Sequence, residues 1–156
     1  MSVVLKVKRN ESAKRFPMLS VKKDGDVGLD VCCTLDGITI PGLKNGTISV
    51  SPGERYLLPT GIRLEIPEGY WASIEARSST SKQSLIVPKG VIDEGYRGEL
   101  FAQILNVGRH QVDIHDGDRL IQIILHKRNI KDFTIEEVDE LSQSERGESG
   151  FGSTGR

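Results

Sequence analysis

Apolar and polar residues alternate along much of the chain, and this period of two predicts antiparallel β-strands with one buried face. The alternation is clear over residues 62–66, 70–76 and 112–115, and each run is typical of a half-buried strand. The first eight residues alternate as well, which favours a strand over a signal peptide. Residues 100–105 and 120–125 are apolar on both faces. In an all-β chain, such strands indicate burial against another layer or another subunit.

Turn residues separate these runs and indicate the fold class. Turns that contain proline or glycine recur at short intervals between residues 52 and 117, a spacing typical of sandwiches and barrels. The best helix candidate is residues 78–83, where Ser78 or Ser79 could cap a turn or two. We therefore predict an all-β fold, a distorted jelly roll or β-barrel of antiparallel strands, with one short helix after Arg77.

The pattern predicts one folded domain with two additions. The chain has 156 residues, which suits a single domain with its own core. Residues 36–46 read as an extra hairpin or loop, because Asn45-Gly46 is a strong hairpin signal. Residues 141–156 are rich in glycine, serine and charge, a composition that cannot bury enough apolar area to order itself. We expect a β domain over residues 1–140 and a flexible C-terminal arm over residues 141–156.

Charge and cysteine usage narrow the class of partner. The 21 Lys and Arg residues against 22 Asp and Glu residues give a net charge of −1, so nothing favours a nucleic-acid groove. No apolar run approaches the ~18 residues of a membrane span. Cys32 and Cys33 are adjacent, a geometry that opposes a disulfide. We expect no nucleic-acid or membrane partner, and a cytoplasmic or other reducing intracellular location.

The sequence GVIDEGYRG at residues 90–98 carries the most specific candidate chemistry. It reads as a strand, a tight turn and the start of a second strand. Gly95 and Gly98 are expected to adopt backbone angles that other residues avoid. A carboxylate such as Asp93 at the rim of a rigid turn suits a group that orients a water molecule. Taken alone, the stretch is more typical of an ordinary turn with a solvated aspartate.

Further polar groups could bind phosphate or a cation. Asp30 lies in an apolar strand, where it either hydrogen-bonds structurally or reaches a hard cation such as Mg²⁺. Arg77-Ser78-Ser79 is either an anion site or a plain helix start with a surface arginine. Gln122, on an apolar strand, needs a phosphate oxygen or a backbone group as its partner. No nucleophile–base pair, phosphate loop or dinucleotide fingerprint is visible, and the histidines read as surface residues.

Together and in order, five stretches resemble the motifs of the trimeric dUTPase family. They are VGLDV at residues 27–31, RSS at 77–79, GVIDEGYRG at 90–98, GDRLIQ at 117–122 and RGESGFGSTG at 146–155. Each is weak or moderate alone, but five in order are specific. The resemblance implies hydrolysis of dUTP at sites between the subunits of a homotrimer, with Mg²⁺ as cofactor.

The resemblance also implies a role for each matching residue. Asp93 would hold the water that attacks the α-phosphorus, and Asp30 would hold waters on a Mg²⁺ that clamps the triphosphate. Tyr96 would lie under the deoxyribose. The remaining substrate contacts would be the phosphate-binding Arg77, Ser78, Ser79 and Gln122, the uracil-reading backbone at Val87, Gly90 and Ile92, and the arm residues Arg146, Phe151, Gly152, Ser153 and Thr154.

The chain departs from the family pattern at three places, and two other functions compete. Ser79 and Ser149 stand where glycine is common, and the 36–46 connection is longer than usual.

A dCTP deaminase of the same fold would need a catalytic glutamate where this chain has Gln103. A regulatory protein on the same scaffold would use the 36–46 loop to bind a protein partner.

Overall fold

The computed structural model describes residues 2–129 and 134–148 and confirms an antiparallel all-β fold. Two short helices accompany the strands. In chain order the elements are β1 (Lys6–Arg9), α1 (Glu11–Lys14), β2 (Gly28–Cys32), β3 (Leu43–Lys44), β4 (Thr47–Val50), β5 (Arg55–Glu65), β6 (Tyr70–Ala76), α2 (Ser78–Lys82), β7 (Leu85–Ile86), β8 (Gly90–Ile92), β9 (Glu99–Asn106), β10 (Val112–His115) and β11 (Arg119–Lys127).

The described strands form three antiparallel sheets. The first has the order β1-β5-β9-β7, the second β10-β4-β3, and the third β2-β11-β6-β8. Nearly every neighbour in a sheet is distant in sequence, so the order of the chain alone does not give the pairing. The strands predicted from alternation are all present, although the first eight residues contribute only Lys6–Arg9.

All three sheets contribute to one hydrophobic core. Fully buried side chains include Ile104 of the first sheet, Ile48 of the second and Ile121 of the third. Cys33 is also buried, and burial raises the pKa of its thiol to about 12. Both cysteines are free, as their adjacency predicts.

The 36–46 segment forms the predicted hairpin at its end. Asn45 and Gly46 have φ angles of 50° and 71° and connect β3 to β4, which is the conformation that an Asn-Gly hairpin turn requires. Ile38 and Ile40 pack against the core. Because these apolar side chains are used internally, they do not form an arm for a partner, and the protein partner of this loop stays a prediction.

The helices differ from the sequence analysis in two respects. Helix α1 was not predicted; the Asn10 side chain caps it by accepting a hydrogen bond from the Ala13 N–H at 2.9 Å. Helix α2 follows Arg77 as predicted, but neither serine caps it. Arg77 occupies the N-cap position, and its side chain makes no capping hydrogen bond to the helix backbone. The Thr80 hydroxyl instead donates to Leu120 O at 2.7 Å and holds α2 against β11.

Residues 90–100 form the predicted strand, turn and start of a second strand, but the two strands do not pair with each other. Strand β8 pairs with β6 in the third sheet, whereas β9 pairs with β5 in the first. The six residues 93–98 therefore carry the chain from one sheet to another. Pairing is decided by where Ile92 and Leu100 reach the core, which alternation along the chain cannot specify.

Candidate active site

A polar cavity lies where β2, β11 and the start of α2 meet. Its volume is about 330 Å³. The residues that line it are Lys22, Asp26, Val27, Gly28, Asp30, Arg77, Ser78 and Gln122. Four predicted site residues from separate parts of the sequence, namely Asp30, Arg77, Ser78 and Gln122, are thus brought together.

The Arg77 guanidinium is the organising cation of this cavity. Its Nε donates to Asp30 Oδ1 at 2.7 Å. Its Nη1 donates to Arg119 O at 3.0 Å and to Ser79 Oγ at 3.3 Å. Ser79, which departs from the family pattern, therefore helps to hold Arg77, and its own side chain is exposed.

Asp30 bridges two cations. Besides Arg77, its Oδ2 lies 3.1 Å from Lys22 Nζ, and only 16% of its side chain is exposed. The structural alternative for Asp30, a carboxylate held by partners within the fold, is therefore met by Arg77 and Lys22. Sequence reasoning missed Lys22, because a lysine in the charged run of residues 22–26 is typical of a solvated loop.

Gln122 finds a backbone partner, which was one of the two alternatives. Its Nε2 donates to Ala76 O at 3.0 Å. Its Oε1 occupies the space that a β-carbon on Gly28 would fill. A side chain at position 28 would force the Gln122 amide to move from this position on the cavity wall.

Asp93 lies in a second cluster, at the turn after β8. Ile92 is buried, and the Tyr96 N–H donates to Asp93 O at 3.0 Å, which closes the turn. The Asp93 side chain is exposed and makes no hydrogen bond or ion pair with residues in the described part of the chain. A fixed backbone thus presents an unengaged carboxylate.

Tyr96 and the strand before the turn shape the surroundings of Asp93. The Tyr96 hydroxyl donates to Glu99 O at 3.2 Å, and 46% of the residue is exposed. Its ring occupies the space beside Gly98. Neither Gly95 nor Gly98 has a positive φ, so neither uses the left-handed backbone angles that glycine allows. A side chain at Gly98 would force the Tyr96 ring to move.

The positions predicted to read uracil lie on the approach to this turn. Gly90 pairs with Ile74 of β6, and Val87 is half-buried against the core. A cavity of about 190 Å³ lies next to them, lined by Tyr96, Glu99 and apolar residues that include Ile92. Arg146 lies in the exposed segment 134–148. Phe151, Gly152, Ser153 and Thr154 lie outside the described residues.

The two clusters lie far apart within one copy of the chain. Asp30 is on β2 and Asp93 follows β8, at opposite edges of the third sheet. Three interstrand spacings separate these edges, about 14 Å. Asp30 is level with Glu75 of β6, whereas β8 ends with Ile92 level with Ala72, which adds roughly 10 Å along the strands.

The donor set suits a cation that the protein touches at few points. The described residues contain no cluster of three or more His, Cys, Asp or Glu side chains. Asp30 and Asp26 are the carboxylates that line the cavity. Mg²⁺ commonly keeps several waters and binds through one or two carboxylates plus substrate phosphates. These residues therefore fit a Mg²⁺ that arrives on a phosphate chain.

An all-β fold with Arg77 and Lys22 beside two carboxylates in a polar cavity, and with a separate exposed carboxylate at Asp93, fits the class of proteins that bind and hydrolyse a phosphorylated ligand. Comparison with known proteins gives the family. A model of the dUTPase family matches residues 14–155, so the chain belongs to the dUTPase family and is a dUTP diphosphatase. This finding favours dUTP hydrolysis over the dCTP deaminase alternative.

Relatives from bacteria and a phage match nearly the whole chain. The deoxyuridine 5'-triphosphate nucleotidohydrolase of Caldanaerobacter subterraneus subsp. tengcongensis is 36% identical, over 99% of both chains. The enzyme of the same name from Clostridioides difficile is 39% identical, over 97% of both chains. The dUTPase of Staphylococcus bacteriophage 80alpha, solved with dUPNHPP, is 27% identical and superposes with a TM-score of 0.76, covering 98% of this chain and 99% of the phage chain.

Proposed function

We propose that the chain converts dUTP to dUMP and pyrophosphate through a water molecule that Asp93 holds and deprotonates for attack on the α-phosphorus. The observation that carries this proposal is the free Asp93 carboxylate on a turn with a fixed backbone. General-base assistance of this kind is worth ~10²–10⁴-fold in rate. The remaining barrier is lowered by positioning and by charge stabilisation, as in other phosphoryl-type displacements.

The polar cavity is the proposed phosphate site. Arg77, Ser78, Ser79 and Gln122 would contact phosphate oxygens, and Lys22 adds a cation that the family motifs do not include. When bound, Mg²⁺ neutralises and orients the phosphate chain, and Asp30 would hold its waters. Asp30 is paired with Arg77 and Lys22 in this structure; with Asp30 turned to those waters, the two cations would be available to phosphate.

The backbone around Val87, Gly90 and Ile92 is the proposed reader of uracil. Backbone N–H and C=O groups on a rigid strand can present a fixed hydrogen-bonding edge to a base. The exposed ring of Tyr96 would lie under the deoxyribose and exclude a 2′-hydroxyl. Arg146, Phe151, Gly152, Ser153 and Thr154 would contact the γ-phosphate and the base, as the resemblance to the family implies.

We further propose that each site is built from two copies within a homotrimer. The distance between Asp30 and Asp93 in one copy supports this, because a water held by Asp93 must reach an α-phosphorus whose neighbouring phosphates lie in the polar cavity. Exposed apolar side chains on the first sheet, Leu57, Ile86 and Phe101, also support an interface there. The free Cys32 and Cys33 are consistent with the reducing intracellular location that the sequence analysis predicts.

Replacing Asp93 by Asn tests the catalytic proposal. We expect pyrophosphate release from dUTP to fall by ~10²–10⁴-fold, with little change in the affinity for a non-hydrolysable dUTP analogue. The unfolding transition should not move, since the carboxylate has no partner among the described residues. The exposed loop variant Asp24→Asn is the control. Near-normal turnover by Asp93→Asn would contradict the catalytic proposal. Substrate specificity is tested separately: equal rates of the wild-type enzyme on dUTP, dTTP, dCTP and UTP would contradict the proposed specificity for dUTP.

A further inference from the structure

The residue next to Asp93 makes contacts that the catalytic proposal does not use. Glu94 directs its side chain away from solvent, with 29% of it exposed. Its Oε2 accepts a hydrogen bond from the Gly69 N–H at 3.0 Å and lies 3.1 Å from Arg128 Nη2. One carboxylate oxygen thus joins the turn after β8 to two other segments.

The two partners of Glu94 belong to a rigid end of the third sheet. Tyr70 N donates to Pro67 O at 3.2 Å, and Gly69 has a φ of +81°, which is the left-handed conformation that a type II turn requires at this position. Arg128 N donates to Gly69 O at 2.7 Å, directly beyond the last pair of the β6–β11 ladder. Glu94, Gly69 and Arg128 therefore form a closed set of contacts, which we call the Glu94 clasp.

The backbone of the turn is fixed from the other side by Arg97. Its Nη1 donates to Glu94 O at 2.7 Å and to Tyr96 O at 3.1 Å. Residue 94 is thus held at both its side chain and its carbonyl. Because peptide units are planar, Asp93 keeps few degrees of freedom between buried Ile92 and the fixed residue 94.

We propose that the Glu94 clasp positions Asp93, so that Glu94 is a positioning residue for the hydrolysis of dUTP; the inference rests on the catalytic role proposed for Asp93. Misplacing a reacting group by ~1 Å can cost ~10²-fold in rate. A side chain that fixes the adjacent peptide therefore influences turnover without touching the substrate.

An ordinary surface ion pair would act differently. Such pairs contribute little, because solvent screens them and their side chains move. The pair Glu11–Lys14 is of this kind, with 90% and 54% of the side chains exposed. The Glu94–Arg128 pair is less exposed, at 29% and 33%, and the same Glu94 oxygen also binds a backbone N–H.

The test compares Glu94→Ala, Glu94→Gln, Arg128→Met and the Glu94→Ala/Arg128→Met double variant, with Glu11→Ala as the matched control. We expect kcat to fall by ~10–100-fold in Glu94→Ala, while the Kd for α,β-imido-dUTP changes less than about twofold. Glu94→Gln keeps an acceptor for the Gly69 N–H and should restore much of the lost kcat. The double variant should be no slower than Glu94→Ala, because both changes open the same clasp.

Three results would overturn the inference. They are a full kcat in Glu94→Ala, a loss of analogue affinity as large as the loss of kcat, and independent, multiplying losses in the double variant. If Glu94→Ala does not fold, Glu94→Gln and Arg128→Met decide: wild-type kcat in both would contradict positioning. Asp93→Asn, assayed in parallel, separates the two proposals. An active Asp93→Asn enzyme would contradict the catalytic role of Asp93 itself. An inactive Asp93→Asn enzyme together with a fully active Glu94→Ala enzyme would contradict only the positioning role of the Glu94 clasp.

Discussion

Arg77 shows how much one side chain does in this site. Its planar guanidinium reaches Asp30, Arg119 O and Ser79 at the same time. Several donors in a fixed plane can keep part of this arrangement while others turn to a phosphate. A lysine has the same charge but lacks several donors in a fixed plane.

Replacing Arg77 by Lys should therefore lower kcat/KM for dUTP although the charge is kept. Losing charge-assisted hydrogen bonds costs about 2 kcal/mol, roughly thirtyfold in kcat/KM. Steady-state pyrophosphate release measures it, with the exposed Arg109→Lys as the control. Unchanged kcat/KM in Arg77→Lys would mean that Arg77 contributes only its charge.

At this scale, the sequence predicts residue types better than contacts. Asp30 and Gln122 are recognisable because a polar group on an apolar strand needs a partner. The identity of that partner depends on the fold: Lys22 reaches Asp30 from a loop, and Ala76 O comes from a neighbouring strand. His126 was expected at the surface, yet it is half-buried and stacks on Trp71 at 4.2 Å.

Among the connecting elements, the turn between β10 and β11 holds the N-terminal part of the chain through Asp116. Its two carboxylate oxygens accept from Arg15 at 2.6 and 3.1 Å. Oδ1 also accepts from Leu35 N at 2.7 Å and from Asp36 N at 3.3 Å. The hydrogen bond from Arg15, aided by these backbone N–H groups, lowers the pKa of Asp116 despite its burial.

The lowered pKa gives a stability that depends on pH. The folded protein binds a proton at Asp116 less tightly than the unfolded chain does. The ionised carboxylate therefore contributes fully to the free energy of unfolding above the pKa of Asp116 in the unfolded chain, and this contribution is lost as the pH falls through its pKa in the folded protein. Asp116→Asn should unfold with about 1–3 kcal/mol less free energy at neutral pH. In urea titrations from about pH 7 to about pH 2.5, the difference from wild type should shrink; a constant difference would contradict the linkage.

Elements were predictable where local chemistry decides them. Asn45-Gly46 specifies its own turn geometry, and the hairpin of β3 and β4 forms as expected. The strands on either side of residues 93–98 were also predictable, but their partners were not, because a six-residue connection is longer than common hairpin loops and does not require its strands to pair. Its strands pair with β6 and β5, whose positions depend on the whole core.

On the scale of the whole molecule, the net charge of −1 does not show where the charged side chains gather. Lys22 and Arg77 converge with Asp26 and Asp30 on one cavity. The order of strands in the third sheet then places this cavity and Asp93 at opposite edges. We therefore propose that one substrate is held by Arg77 of one copy and attacked through Asp93 of another.

Mixing two inactive variants tests this claim most directly. The Asp93→Asn and Arg77→Ala proteins are mixed at equal concentration in denaturant, refolded together and assayed for pyrophosphate release from dUTP. In a cyclic oligomer with random assortment, about a quarter of the sites combine an intact Arg77 with an intact neighbouring Asp93. We predict activity near that fraction of wild type, whereas a mixture no more active than the separate variants would contradict a site shared between copies.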